Sequence, residues 1–264
     1  MRVLPVVNIF SHSIRSVIDN IGFAFHVSWP WMLAILPIHV GTSVYAALNM
    51  PTGAEPYNAA VVVSGILSAA ATMVAFASIA VNWHRYILLD EIPQGAQRLR
   101  LDSTVWRYVG NTLLIFLIMI LILIIPSVIL AILTAFGGAV GAVIGGLVMI
   151  AAFLFAIAYF YRMSVKLPSI ALGRRDYSIS TALKDTDGNT ARFIGLAALF
   201  FVVAIAIGLL VLALQYAIVG IDAGVGPGLY AILAIQLILN WLTTIWGVTL
   251  LTSLYGYFAE GRDV

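Results

Sequence analysis

Apolar residues in this chain come in long unbroken runs rather than in alternation. Five windows, 20–54, 56–84, 108–161, 193–221 and 223–259, contain no Asp, Glu, Lys or Arg. A helix needs about 20 apolar residues to cross the hydrocarbon core of a bilayer. On that measure the first window predicts a span over about Trp29–Leu48, ended by Asn49, Pro51 and Gly53. A second runs over about Ala59–Asn82. The longest window holds two spans, about Asn111–Phe136 and Ala139–Tyr161, with Gly137-Gly138 as the turn between them. The fifth covers about Phe193–Val219, and Gly226-Pro227-Gly228 breaks the chain before a sixth, Leu229–Phe258. Pro126 should kink the third span and free a carbonyl. Continuous apolar runs of this length exclude a transmembrane β-barrel, whose strands alternate.

The segment before the first span has a different pattern. Phe10, Ile14, Val17, Ile18, Ile21 and Phe25 recur at helical spacing, with Ser11, His12, Arg15, Ser16 and Asp19 opposite and Asn8 as a cap. This predicts an amphipathic helix over 9–25, lying in the headgroup plane; the competing reading is a longer first span. Similar surface elements precede spans three and five, over 101–112 and 177–190, each closing on Gly-Asn-Thr (110–112 and 188–190). Gly should stop the short helix, and Asn or Thr should cap the next. The expected fold is all-α: a polytopic membrane protein of six transmembrane helices in three hairpins, each preceded by a cytoplasmic interfacial helix. It is read as one membrane domain, 1–264, with approximate repeat units 8–92, 97–175 and 176–262.

Composition and charge sharpen this picture. The chain is 62% apolar and 9% charged, against roughly 45–50% and 25% in soluble domains. All thirteen Lys and Arg fall in the termini and in 83–110 and 162–192, which an even span count puts on one side. The short opposite loops carry only Glu55 and Asp222. Basic residues on short loops mark the cytoplasmic face, so both termini are expected there. The absence of Cys excludes disulfides and thiol chemistry. No signal peptide is expected, because residues 3–10 are short and interrupted by Pro5. No basic stripe suited to nucleic acid occurs on a soluble face.

The run Arg162, then Leu167-Pro168-Ser169-Ile170-Ala171-Leu172-Gly173, then Ser180 and Gly188-Asn189, resembles a stretch of uncharacterised six-helix bacterial inner-membrane proteins. Those are similar to the membrane domain found beside some glycerophosphodiester phosphodiesterases. The likeness spans about half the chain. It implies this architecture and a bacterial inner (cytoplasmic) membrane; it carries over no catalytic residue.

Candidate chemistry is sparse. None of the charge-free windows holds a carboxylate, which argues against ion-coupled transport. Of His12, His26, His39 and His84, only His26 and His84 could flank a haem, and interfacial histidines bonded to water, lipid phosphate or backbone are the simpler reading. No cofactor and no metal is expected. Gln236 and Asn240, with Thr243 and Thr244, and Gln215 in span five, must find partners in lipid, as interhelical glue or as a pocket lining. Gly141 and Gly145 form a small-residue helix-packing surface. Trp83 and Arg85 with Trp106 and Arg107 form an aromatic–basic belt suited to anionic lipid headgroups. With no nucleophile–base pair and no phosphate loop, the expected role is non-catalytic: an accessory, scaffold or assembly subunit of a larger membrane complex, partnered by membrane proteins and lipid. The alternative is a lipid or small-amphiphile binding or transport protein with a cavity at the arginine-rich cytoplasmic rim. A lipid-modifying enzyme ranks below both.

Overall fold

The computed structural model describes residues 2–49, 58–219 and 227–263. Pro51, Gly53, Glu55, Asp222 and Gly226, named above as loop and break residues, lie outside them. Helices account for nearly all the rest, with no strand among the described residues. In chain order they are α1 (Val6–Asp19), α2 (Ile21–Leu48), α3 (Ala59–Leu89), a 3-10 turn (Gly95–Leu99), α4 (Ser103–Ser164), α5 (Lys166–Ala171), α6 (Ile179–Asp185), α7 (Thr190–Val219) and α8 (Pro227–Phe258). Among the described residues, five helical stretches are long and apolar enough to cross a membrane, as in a multi-pass membrane protein.

The amphipathic segment is shorter than its periodicity suggests. Asn20 (φ −118°, ψ 22°) separates α1 from α2, so Ile21 and Phe25 belong to the long apolar helix. α1 buries Ile9, Ser13 and Val17, one turn apart, and leaves Ile18 exposed. Because the helix begins at Val6, Asn8 sits in its first turn; its carbonyl accepts from Ser11 Oγ at 3.1 Å. Asn58 caps α3, its Oδ1 accepting from the Ala60 amide at 2.9 Å, and Asp90 ends that helix in the left-handed region (φ 56°).

α4 is two helices joined at Gly138, whose φ of 54° and ψ of −138° no other residue type adopts cheaply. The chain doubles back there. Phe116 and Phe160, equally far from Gly138 in sequence, have ring centroids 5.7 Å apart. A Cβ on Gly141 would lie 1.8 Å from the Leu133 carbonyl oxygen, and one on Gly145 would lie 2.7 Å from Leu130 Cδ1. The two arms meet backbone to backbone at these glycines.

The two Gly-Asn-Thr triplets behave differently. Gly110 lies inside α4, so the surface element before span three runs straight into it, contrary to the sequence expectation. Asp102 caps this helix, its Oδ1 accepting from Thr104 N (2.9 Å) and Val105 N (3.2 Å). Asn111 only donates to the Arg107 carbonyl of its own helix. Gly188 does separate α6 from α7, at φ 71°. Asn189, however, turns its side chain to the N-terminal segment, accepting from Leu4 N (2.8 Å) and donating to Arg2 O (3.0 Å).

The chain forms two compact units: residues 1–18, 114–166 and 177–264, and residues 19–113 with 167–176. In the first, Trp246 is the hub. Phe200 stacks on it at 4.4 Å, Phe10 meets it edge-on at 5.2 Å, and its Nε1–H donates to buried Ser13 Oγ at 2.9 Å. Arg2 donates to the carbonyls of Tyr257, Gly261 and Arg262, and the Tyr257 hydroxyl donates to Val3 O. The N-terminal segment is thereby tied to the end of α8. In the second unit, α2 packs on α3: Phe23 stacks on Tyr86 at 3.6 Å, and the Tyr86 hydroxyl donates to Asn20 Oδ1.

The hairpin geometry makes two neighbouring glycines unequal. Gly141→Ala puts a methyl into the Leu133 backbone and is expected to cost about 1–3 kcal/mol. Gly146→Ala meets nothing within 4 Å and is expected to be neutral or to gain up to about 1 kcal/mol of helix propensity. Denaturant-induced loss of helicity in micelles compares them; equal midpoints for the two variants would refute the close approach.

Candidate functional site

The best-formed polar feature lies in the first unit, where the returning arm of α4 ends. Arg162 is the first charge after a long apolar run, yet its residue is only 4% exposed. Neutral acceptors hold it. Nε donates to Thr186 Oγ1 (3.0 Å), Nη1 to Thr190 Oγ1 (3.1 Å) and Nη2 to the Leu183 carbonyl (2.8 Å). The Thr186 hydroxyl spends its own proton on Ala182 O at 2.7 Å, which leaves its lone pairs to the guanidinium. The guanidinium also sits 4.9 Å over the Tyr159 ring. Its carboxylate neighbour among the described residues, Asp187, is 3.6 Å away and two-thirds exposed. Arg162 lines an open cleft of about 380 Å³ with Tyr159, Ser180, Leu183, Lys184 and Asp187. Ser180 and Lys184 lie one turn apart on α6 and are exposed. In the sequence Arg162 stands out as one of thirteen basic residues and, with Ser180, as part of the stretch that carries the resemblance; the spacing of Ser180, Leu183, Lys184 and Asp187 is the available sign of a shared face.

Among the described residues, the amides of α8 join no neighbouring helix and line neither of the two clefts. Gln236, Asn240 and Thr244 are exposed along one stripe of the helix, and Gln215 on α7 is exposed too. Thr243 and Thr244 hydrogen-bond back to Leu239 O and Asn240 O in their own helix. The carboxamides of Gln215, Gln236 and Asn240 have no hydrogen-bond partner among the described residues. A second cleft, about 210 Å³ and almost wholly apolar, is lined by Ile14, Val17, Ile18, Val203, Ile207, Leu239, Leu242, Thr243 and Trp246. None of the three amides lines either cleft.

The histidines take separate places. His84 is fully buried, with Nε2 3.2 Å from the Tyr108 hydroxyl. The His26 ring stacks on Phe23 at 6.3 Å. With Nε2 occupied, His84 does not present that nitrogen to a haem iron. Among the described residues there is no group of three His, Cys, Asp or Glu that could hold a metal. His39, expected at the interface, instead lies inside the apolar stretch of α2 and bridges to α3. Its Nε2 is 3.1 Å from Thr72 Oγ1 and its Nδ1 is 3.3 Å from Ser68 Oγ. Because Thr72 donates its proton to Ser68 O, it must accept from Nε2–H. Nε2 therefore carries a hydrogen and is the donor to Thr72.

The aromatic–basic belt needs correction. Trp83 is wholly buried, against Phe23 and Tyr86, so it offers no surface to a headgroup. Arg85 is committed to the chain: it pairs with Glu91 and donates Nη1–H to Ala171 O at 2.9 Å. Arg100 joins the knot through Glu91 and Asp102. Trp106 is exposed and Arg107 half-buried at the start of α4. The sequence alone does not show which arginines are already paired.

The hydrogen bond from Arg85, aided by its charge and that of Arg100, holds the Glu91 carboxyl below the ordinary Glu value, against a smaller opposing effect of burial. A folded-state value below the unfolded one stabilises the fold above the ordinary Glu range, and that stability is lost as pH falls through the lowered value. Glu91→Gln is therefore expected to flatten the acid limb of a melting-temperature profile and to lower stability at neutral pH; an unchanged acid limb would show that the pair contributes nothing. No protein-family model, no characterised protein and no solved structure matches this chain.

Proposed function

We propose that this chain is a non-catalytic accessory or assembly subunit of a larger membrane complex. The observation that carries this reading is the outward stripe of Gln236, Asn240 and Thr244 on an apolar helix. A carboxamide facing hydrocarbon without a partner is costly, and a neighbouring transmembrane helix can supply the missing hydrogen bonds. The topology proposed with it is six spans in three hairpins, with both termini cytoplasmic. It is supported by the one-sided distribution of all thirteen basic residues and by the break of α4 at Gly138. The resemblance to six-helix bacterial inner-membrane proteins supports a bacterial inner membrane. A second reading, an amphiphile-binding protein, draws on the cleft lined by Arg162, Ser180 and Lys184.

Photo-crosslinkers placed at 236 and 240 in native membranes, followed by mass spectrometry, test the first reading. The expected product is a stoichiometric adduct with a different membrane protein. The double variant Gln236→Leu, Asn240→Leu is expected to reduce co-purification of that protein about tenfold, while the chain itself stays folded. Adducts only with lipid, or only with a second copy of this chain, would sink it.

A further inference from the structure

We infer that the cleft formed by Arg162, Ser180 and Lys184 binds one phosphodiester group; this rests on the amphiphile reading and names its ligand chemistry. A guanidinium carries five N–H donors, and three of those on Arg162 go to Thr186, Thr190 and Leu183. One N–H on Nη1 and one on Nη2 remain. Asp187, the carboxylate paired with it among the described residues, stands 3.6 Å from Nη2, beyond a good hydrogen bond, and is exposed to solvent. Lys184 and Ser180 line the same cleft and are exposed, so an ammonium and a hydroxyl are available beside the buried guanidinium.

The charges select the ligand. Arg162 and Lys184 against Asp187 leave one net positive charge in the lining. A phosphodiester carries one negative charge, whereas a phosphomonoester dianion would leave a charge unmatched beside Asp187. Burial strengthens the guanidinium's interaction with an anion, and the neutral partners fix its plane so that it need not reorganise on binding. The Tyr159 ring, 4.9 Å from the Arg162 guanidinium, and Leu183 also line the cleft and offer apolar surface to the glycerol or acyl part of an amphiphile. The shared chemistry is a singly charged phosphate ester. Its source is either a phospholipid headgroup or a soluble phosphodiester.

The test uses the full chain in nanodiscs of phosphatidylcholine with and without phosphatidylglycerol, read by native mass spectrometry and by thermal stabilisation. One tightly retained phosphatidylglycerol is expected. Lys184→Ala is expected to weaken retention about fivefold, and Asp187→Asn to strengthen it by a similar factor. Arg175→Ala removes the same charge from an exposed residue outside the cleft and is expected to change retention less than about twofold. These three variants avoid Arg162 itself, whose loss would unseat α6. Equal losses for Lys184→Ala and Arg175→Ala, or no response to Asp187→Asn, would overturn the assignment. Competition by glycerophosphoglycerol would place the source in solution; its failure to compete would place it in the bilayer. Lipid retained without headgroup preference would sink the phosphodiester assignment alone, and no retained lipid at all would sink the amphiphile reading with it.

Discussion

Apolar side chains in a bilayer gain little by leaving lipid for one another, so helices there are joined by close backbone approach and by polar contacts. The joints of this chain follow that constraint. Gly141 and Gly145 let the arms of α4 touch. The His39 ring links α2 to α3 through two hydroxyls. Ser13 receives the indole N–H of Trp246 and seats α1 on α8. Asn189 and Arg2 bind the N-terminal segment to the α6–α7 junction and to the end of α8. Many of the large apolar side chains on the long helices, by contrast, are exposed, as they must be to face hydrocarbon. The rules of a soluble core are inverted: the apolar residues make the helix and the few polar ones make the fold.

That inversion explains what the sequence reveals and what it conceals. Helix positions are legible because hydrocarbon demands long uncharged runs, and the turn at Gly138 is legible because two glycines interrupt one such run. Boundaries next to polar segments are less so. Nothing in Phe10 to Phe25 marks the bend at Asn20, since the apolar period runs through it. Gly110 and Gly188 sit in the same triplet, but only Gly188 takes a left-handed conformation. The difference comes from Leu4 and Arg2, which reach Asn189 from the far end of the sequence. Long-range partners of this kind leave no local pattern.

The same holds for the arginines. Arg85 and Arg162 both follow apolar runs and look equivalent as belt residues. Arg85 finds a carboxylate in Glu91, and its charge is neutralised within the chain. Arg162 finds two threonines and a carbonyl as hydrogen-bond acceptors, with its carboxylate partner, the exposed Asp187, 3.6 Å away. Only the structure separates a closed ion pair from a guanidinium held open by neutral groups.

Unsatisfied polar groups on a membrane protein are informative because the bilayer does not satisfy them cheaply. This chain shows two kinds in its first unit. The amides of Gln236 and Asn240 need hydrogen bonds but no counter-charge, which a neighbouring helix supplies. The Arg162 cleft, whose lining carries one net positive charge, would be balanced by an anionic ester. Neither need can stand in for the other: a protein helix buried in hydrocarbon rarely brings a free anion, and a lipid tail brings no amide. A subunit seated against a partner while holding an anionic amphiphile at its rim would meet both, so the two readings describe separate surfaces of one molecule rather than rivals for one site.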